Sequence, residues 1–572
     1  MHIMRIRHLS IRNFRGIREM EWPLPDKALI CLIGRGDSTK STILEALRRI
    51  FHPQWNLAFD DADFYQCVPE NKISIAVVLG DIPDEFRDLG NYGHWLCGWD
   101  VGSLHRHDEP GDDLEDALRI RLVVGDDLEP SWRVIKNDDD EGVSFKPNDR
   151  AKAAVSLIGA LSDRHLTWSR GSVLNNLTEA ENISSSLAQA GRAAKAAMDA
   201  RRGDSLTNFD EVARKAEATA RKLGVNVASS YKAQLDSEAI NVKIGGLALH
   251  DGEMPLRQLG LGSKRMLTTG LQKDNLHARH ITLFDEVEIG LEPHRIARLV
   301  HHLKDDPTGQ YFLTTHSPVV LRELTVDDLH IVHSRNGETQ VIPANKPAIA
   351  GFIQGKIRLG AEAFLAPKIT VCEGATEAGF LRGLDNYWMS NAKNSFAYQG
   401  VALFDARGAN QIKGIAESLK ELAYDVSVLA DSDARNHFSD ADAEYLRRKG
   451  VEVIVWDGEF SIEGRVFADI PWAGVMAAFE AACATRGDRD QVLNQIDTQY
   501  GPGFNRDCLA WTDTPQLRSA LGKAAKASEW FKRQDLAQEW AGVICAYLHD
   551  DAIRNSDLVR KLNALRDWID RA

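Results

Sequence analysis

Residues 28–50 read Ala28-Leu-Ile-Cys-Leu-Ile-Gly34-Arg-Gly36-Asp37-Ser38-Thr39-Lys40-Ser41-Thr42-Ile43-Leu-Glu-Ala-Leu-Arg-Arg-Ile50. The opening apolar run stops at glycine and reads as a buried parallel strand. Ile43, Leu44, Leu47 and Ile50 recur at helical spacing. Between strand and helix, Gly34-x-x-x-x-Thr39-Lys40-Ser41 is a near match to a phosphate-cradling loop. Such a loop needs small residues so that backbone N–H groups can curl around phosphate. It also needs a lysine for the β/γ-phosphates and a hydroxyl for magnesium. The positive end of the following helix adds to the field. Gly34, Gly36, Asp37, Ser38, Thr39, Lys40, Ser41 and Thr42 are the candidate nucleotide-binding residues, with Ser41 a candidate magnesium ligand. Thr39 stands where glycine is usual, and a β-branched residue there constrains the loop.

Two later strand ends complete this constellation. Ile281-Thr-Leu-Phe284 runs into Asp285 and Glu286. The first acid suits magnesium and the second suits polarising an attacking water. Tyr311-Phe-Leu-Thr-Thr315 runs into His316, which can sense a γ-phosphate by a hydrogen bond. Upstream, Ile6, Leu9, Ile11 and Phe14 mark a short β-like stretch. Ile73–Leu79 and Leu118–Val124 read as strands between acidic loops, and Asp138-Asp-Asp-Glu141 reads as a solvated turn. Residues 151–235 are rich in Ala, Lys, Arg and Glu, with helical periodicity and no strand-like run. Arg192, Lys195, Arg201 and Arg202 there read as a solvated helix face.

A second strand-and-helix alternation begins after a connector at 351–367. Ile369-Thr-Val-Cys372 is followed by Glu373, Gly374 and Glu377, and Val426-Ser-Val-Leu-Ala430 by Asp431-Ser-Asp433. Val451–Val455 reads as a further strand, and the last hundred residues look mostly helical. Acids at the ends of neighbouring parallel strands meet at one sheet edge. Oxygen donors without cysteine or histidine suit magnesium or manganese rather than zinc. Glu373, Glu377, Asp431 and Asp433 are therefore candidate metal ligands. Two ions held there can clamp the attacking and leaving oxygens of a phosphodiester.

Composition agrees with this and excludes several alternatives. The chain has 572 residues, 44% hydrophobic and 27% charged, with a net charge of −14. That length suggests about three to four domains. The acidic balance argues against whole-surface binding to nucleic acid or anionic lipid, though not against a local basic groove. No apolar run is long enough to span a bilayer, and Met1–Asn13 lacks the apolar core of a signal peptide. The seven cysteines (Cys31, Cys67, Cys97, Cys372, Cys483, Cys508 and Cys545) form no C-x-x-C pair. A reducing cytoplasm is the expected compartment.

The first constellation resembles the ABC-type ATPase heads of the SMC and DNA-repair class. The resemblance lies in the early β-like stretch, the loop at 34–41, Phe284-Asp-Glu-Val-Glu-Ile-Gly-Leu-Glu-Pro293 and Thr315-His-Ser-Pro318. It implies ATP sandwiched between two heads. It also implies a signature loop, here Gln258-Leu-Gly-Leu-Gly-Ser263-Lys-Arg265, whose Ser263 would contact the partner's nucleotide. That loop departs from the usual serine-glycine-glycine form. The absence of long heptads between 50 and 280 excludes a full SMC-type molecule.

The second constellation, with Asp405-Ala-Arg-Gly-Ala-Asn410 between its strands, resembles a Toprim domain. An ABC-type head followed by Toprim is similar to the OLD (overcoming lysogenization defect) family of ATP-dependent nucleases, over nearly the whole chain. This resemblance implies two further residues. Glu463 is the candidate for the family's additional acid and metal ligand, with Glu459 next. Lys532 is the candidate for its lysine, stabilising the transition state. The implied catalytic set is then Glu286, His316, Glu373, Asp431, Asp433 and Lys532.

The fold class expected is α/β. Residues 1–150 and 241–365 would form the ATPase head, 151–240 a helical insertion suited to dimerisation, and 366–572 the Toprim nuclease domain. The expected function is ATP-dependent or ATP-regulated DNA cleavage with Mg²⁺ or Mn²⁺ by a homodimer or higher homo-oligomer. By analogy it would act in phage defence or DNA processing, with a partner protein of such a system conceivable and no membrane involved. The competing reading is an ATP-switched regulatory module whose Toprim domain binds DNA without cutting. A topoisomerase- or primase-like enzyme fits less well, since there is no evident strand-passage tyrosine and no zinc-binding segment.

Overall fold

A computed structural model describes residues 4–152, 155–158, 207–222, 248–274, 280–306, 309–433 and 435–571, with a few isolated positions between 159 and 247. The expected helical insertion lies mostly outside the described residues. Its described portion holds one helix, Thr207–Lys222.

The head is one mixed sheet of fourteen strands among the described residues. Its parallel part orders Val155–Ile158, His280–Phe284, Gly309–Thr314, Leu29–Ile33 and Leu329–Arg335 side by side. All five residues of Leu29–Ile33 are buried, as a strand covered on both faces requires. Beyond the antiparallel hairpin Leu329–Arg335/Glu338–Pro343, the second hairpin strand pairs parallel with Ile17–Pro23, and the sheet then runs antiparallel through Arg5–Phe14, Ile73–Gly80 and Glu115–Val124. Helix Lys40–Ile50 turns Ile43, Leu44, Leu47 and Ile50 into the same core as Ile30, Leu32, Ile6, Ile11 and Ile75. The core thus fixes the helix that opens at the phosphate loop.

One reading needs correction. Val155–Ile158 is a parallel strand paired with Ile281–Phe284, so 151–235 is not free of strands. Four residues in an alanine-rich context give too short a period to read, and pairing with an established strand decides the conformation. Asp138–Glu141 is an exposed turn, as expected, held by neighbouring arginines. Arg119 donates to the Asp138 carboxylate, Arg121 to the Asp138 and Asp140 carbonyls, and Arg133 to the Glu141 carbonyl.

The second sheet is parallel, in the order Val401–Asp405, Lys368–Cys372, Asp425–Ala430, Glu452–Val455. Cys372 lies opposite Leu429, so the chain leaves both central strands at one edge. One face of this sheet shares a continuous apolar core with the head. That core runs from Leu29, Cys31 and Phe284 through Ile353, Ile357 and Phe364 to Ile369, Val428 and Ile412. The Tyr424 hydroxyl, buried in that core, donates to the Phe364 carbonyl at 2.7 Å. The other face packs against the C-terminal helices. Helix Ala375–Ser390 approaches Gln534–Cys545 closely at Gly379, where a Cβ would lie 2.4 Å from the Gln534 carbonyl oxygen.

Candidate functional site

The phosphate loop follows directly from the buried strand Leu29–Ile33. Gly34 has φ 147°, and a Cβ there would meet the Val332 carbonyl oxygen at 2.6 Å, so only glycine fits. Thr39 takes the left-handed conformation, φ 69° and ψ 10°. Its hydroxyl donates to the Ser38 carbonyl at 2.6 Å and lies 3.2 Å from the Thr339 hydroxyl. The loop therefore keeps its shape without a glycine at 39. A β-branched left-handed residue costs roughly 1–2 kcal/mol, and the hydroxyl bonds offset part of that. Thr39→Gly removes the strain but also the bonds, and adds unfolded-chain entropy. Its melting temperature is expected to stay near wild type. Thr39→Val keeps the strain and loses the bonds, so it is expected to melt several degrees lower. Equal melting of the two variants in a thermal scan would contradict this account.

Lys40 is buried, and its ammonium donates to the Gly34 carbonyl (3.1 Å), the Arg35 carbonyl (2.7 Å) and the Ser38 hydroxyl (3.1 Å). Burial pulls its pKa down to about 8, against the charges of Asp285, Asp37 and Glu286. A phosphate would restore the missing negative charge. The Ser41 hydroxyl donates to Asp285 Oδ1 at 2.9 Å, and the Thr314 hydroxyl donates to the same oxygen at 2.7 Å. A hydroxyl and a carboxylate in contact beside the lysine suit a nucleotide-bound magnesium ion. Gly36 and Asp37 lie exposed on the loop, and Thr42 is half-buried in the first turn of the helix.

Glu286 sits at φ 47°, its N–H donating to the Thr314 hydroxyl at 2.8 Å. His316 lies at the neighbouring strand end with its surface largely exposed, and partial desolvation by the surrounding loop, then the Lys40 charge, lowers its pKa. Two groups that sequence reading missed hold this edge together. The Glu288 carboxylate accepts from the His316 N–H and the Thr315 hydroxyl, both at 2.7 Å. Arg265 is buried and donates to the carbonyls of Asp285 (2.6 Å), Glu286 (2.8 Å) and Ile289 (3.2 Å). Its place in the signature stretch was the available signal. Ser263, on helix Leu261–Asp274, accepts from Arg295 at 3.2 Å.

The second site forms where strands Lys368–Cys372 and Asp425–Ala430 end together. The Asp431 N–H donates to Glu373 Oε2 at 3.2 Å, and the Trp456 indole N–H to Asp431 Oδ1 at 3.3 Å. Glu377, one turn into its helix, accepts from the Gly374 N–H at 2.7 Å. Glu463 enters from helix Ile462–Asp469, which Ser461 caps. Asp431, Glu377 and Glu463 are buried. Burial raises the Glu377 carboxyl to about 8, with Glu463 and Glu373 adding like charge. It raises Glu373 and Glu463 too, and Asp431 furthest above the carboxylate range.

The lysine of this site is Lys526, not Lys532. Lys526 donates to both Asp433 oxygens at 2.7 Å and lies 4.0 Å from Asp431 Oδ2. Burial pulls its pKa down, and the bond to Asp433 with the charges of Asp431 and Glu373 outweighs that and leaves it raised. Lys532 is 64% exposed and pairs only with Glu529 among the described residues. It falls after helix Pro515–Ala527 has ended, whereas Lys526 lies in that helix's last turn. Glu459 does not contact the cluster's carboxylates among the described residues. It lines an adjoining cavity.

The five carboxylates form an all-oxygen donor set, which fits a hard divalent cation, with the Lys526 ammonium beside it. Among the described residues, no three His, Cys, Asp or Glu side chains are drawn together tightly enough to hold an ion as they stand. Lys526 is the charge that answers them. Carboxyls with raised pKa bind more protons folded than unfolded, so stability falls as pH rises from about 4.5 through about 8 for Glu377. The metal-free protein is expected to melt progressively lower over that range. Mg²⁺ or Mn²⁺ should restore more at pH 8 than at pH 5, and Glu377→Gln should flatten the trend. A melting temperature independent of metal at pH 8 would count against ion binding.

Comparison with known proteins follows the same division. Residues 364–433 match the family model "Overcoming lysogenization defect protein-like, TOPRIM domain". Residues 4–153 match "AAA ATPase domain", and residues 115–322 match "AAA domain, putative AbiEii toxin, Type IV TA system". The chain is thus an α/β ATPase head fused to a Toprim domain. More particularly, the Toprim domain is of the OLD-like kind, and its match ends at Asp433, so Glu463 and Lys526 lie beyond it.

No curated protein matches the sequence. Among solved structures, an Smc head bound to the C-winged helix domain of ScpA is 14% identical, covering 59% of this chain and 96% of that one, with a TM-score of 0.35. The SMC head domain from Thermotoga maritima is 14% identical over 59% of this chain and 98% of that one, with a TM-score of 0.29. The recombination mediator protein RecF-ATP of the RecFOR pathway is 10% identical over 60% and 100%, with a TM-score of 0.32. Among the described residues no helix is long and apolar enough to cross a membrane.

Proposed function

We propose that this protein is an ATP-regulated, divalent-metal-dependent DNA endonuclease. The observation that carries the reading is the convergence of Glu373, Glu377, Asp431, Asp433 and Glu463 around Lys526. Such a set suits phosphodiester hydrolysis. A divalent cation held by these acids supplies charge to polarise the phosphate and to activate water. Lys526, half-exposed beside Asp433, can turn its ammonium toward the developing negative charge. Trp456 fixes Asp431, and the Gly374 N–H fixes Glu377, so both acids are oriented before substrate arrives.

In the head, Lys40 and Ser41 would hold ATP and its magnesium with Asp285. Glu286 would polarise the water, and His316 would report the γ-phosphate. A homodimer would let Ser263 reach the partner's nucleotide. Its bond to Arg295, rather than to any residue at 34–42 among the described residues, leaves that role open to a second head. Molecular mass in solution with and without ATP tests the dimer. Residues 1–150 and 241–365 as the head, 151–240 as the insertion and 366–572 as the nuclease domain remain the proposed division. A cytoplasmic role in phage defence or DNA processing rests on the family analogy alone.

A plasmid-nicking assay with Mg²⁺ or Mn²⁺ tests the activity, and no nicking with either ion would favour the non-cleaving switch. Lys526→Ala is expected to slow nicking by roughly 10²-fold or more, while Lys532→Ala nicks at the wild-type rate. Equal losses in the two variants would remove Lys526 from the site.

A further inference from the structure

Helix Ala409–Glu421 of the Toprim domain reaches from one site to the other. Just before it, the Ala406 N–H donates to the Cys372 carbonyl at 2.9 Å, and the Gly408 N–H donates to the Glu373 carbonyl at 2.8 Å. The helix therefore begins on the backbone of a candidate metal ligand. Its 13 residues carry the chain roughly 20 Å along the axis. It ends on the head. A helix leaves its last carbonyls without partners in its own backbone, and here head side chains supply them. His333 Nε2 lies 2.8 Å from the Leu422 carbonyl oxygen, and Lys346 donates to the Glu421 carbonyl. A carbonyl only accepts, so the His333 ring carries its proton on Nε2 and donates. The ring also stands edge-on to Tyr424, with centroids 5.7 Å apart.

His333 also adjoins the phosphate loop. Its strand pairs with the strand that leads into the loop, Ile331 opposite Ile33. The Val332 carbonyl oxygen packs directly on Gly34. Burial lowers the pKa of the His333 ring; the Leu422 bond opposes this, and the charge of Arg35 adds to it. The loop has two arrangements open to it at this point. An ammonium has three N–H donors, and those of Lys40 are taken by the Gly34 carbonyl, the Arg35 carbonyl and the Ser38 hydroxyl. A phosphate can engage Lys40 only if these bonds are given up, and two of the three hold Gly34 and Arg35.

We propose that helix Ala409–Glu421 is the link through which nucleotide in the head alters the backbone at Glu373, with His333 as the positioning residue that grips its near end. The inference rests on the ATP-regulated reading above and names the route of that regulation. The loop that must rearrange packs on Val332, and His333 comes next in the chain. A helix is stiff along its axis, so a shift at Leu422 reappears at Gly408. The apolar core shared by the two domains is non-directional, whereas the hydrogen bonds at the two helix ends fix position.

The test uses the full chain and hydrogen–deuterium exchange of the segment 403–412, read by mass spectrometry. Mg²⁺ is present throughout, and a non-hydrolysable ATP analogue is either absent or saturating. In wild type the analogue is expected to change exchange of that segment roughly fivefold or more. His333→Ala should bind the analogue with wild-type affinity and lose the change. His333→Gln, whose amide N–H can reach the same carbonyl, should keep it. Lys40→Ala should show no change, because the signal starts at the loop. The His333→Ala protein should also nick plasmid at a rate indifferent to ATP.

An unchanged segment 403–412 in wild type saturated with the analogue, or a full change in His333→Ala, overturns the assignment. Equal loss in His333→Ala and His333→Gln overturns it too, since the hydrogen bond would then not be the grip. If His333→Ala misfolds, Lys346→Met serves instead: a weakened change supports the link, and a full one overturns it. A chain that binds no analogue overturns both the link and the ATP reading. Wild-type protein that shows the exchange change but cuts no DNA removes the nuclease reading and leaves the link in place.

Discussion

An Asp431→Ala, Asp433→Ala double variant is expected to lose metal-dependent nicking of plasmid DNA by several orders of magnitude while its ATP turnover continues. The size follows from what is removed. Asp431 sits at the centre of the cluster, touching Glu373 through its N–H and Trp456 through its carboxylate. Asp433 anchors Lys526 through both oxygens. Losing both deletes ligand charge and frees the lysine, so charge stabilisation and water activation fall together. Glu373→Ala should match the double variant. ATP turnover should persist because Lys40, Ser41 and Asp285 belong to the other sheet. Wild-type nicking by the double variant would exclude this cluster as the nuclease and leave the non-cleaving switch in its place.

The second large effect lies in the head. Lys40→Ala is expected to abolish nucleotide binding, measured with a fluorescent ATP analogue, because no other side chain at 34–42 is a buried cation. Glu286→Gln should bind normally and hydrolyse roughly 10²- to 10⁴-fold more slowly, since only the water-polarising group is lost. Unchanged turnover in both variants would contradict the assignment.

Most of the two sites could be read from the sequence because their chemistry sits at strand ends. An apolar run that stops at Gly34, at Asp285-Glu286, at Glu373 or at Asp431 reports its own position. The strand pairing then brings those ends together, as Cys372 opposite Leu429 does. The lysine could not be read in that way. Lys526 is 93 residues from its partner Asp433, and Lys523, Lys526 and Lys532 have similar local surroundings. Only the packing of helix Pro515–Ala527 on Gly464 selects among them. Arg265 and Glu288 escaped for a related reason. Each serves backbone groups of a loop rather than a reacting group, and no residue pattern marks such a duty.

The apolar core that runs unbroken from Leu29 to Ile412 bears on how the chain can be handled. Head and Toprim domain are not interchangeable cassettes. Cutting at the 351–367 connector would lay bare Ile353, Ile357, Phe364 and the buried hydroxyl of Tyr424. Either fragment expressed alone is then expected to aggregate. The intact chain should show a single calorimetric peak spanning both sheets, and nucleotide added to the head should move the whole peak.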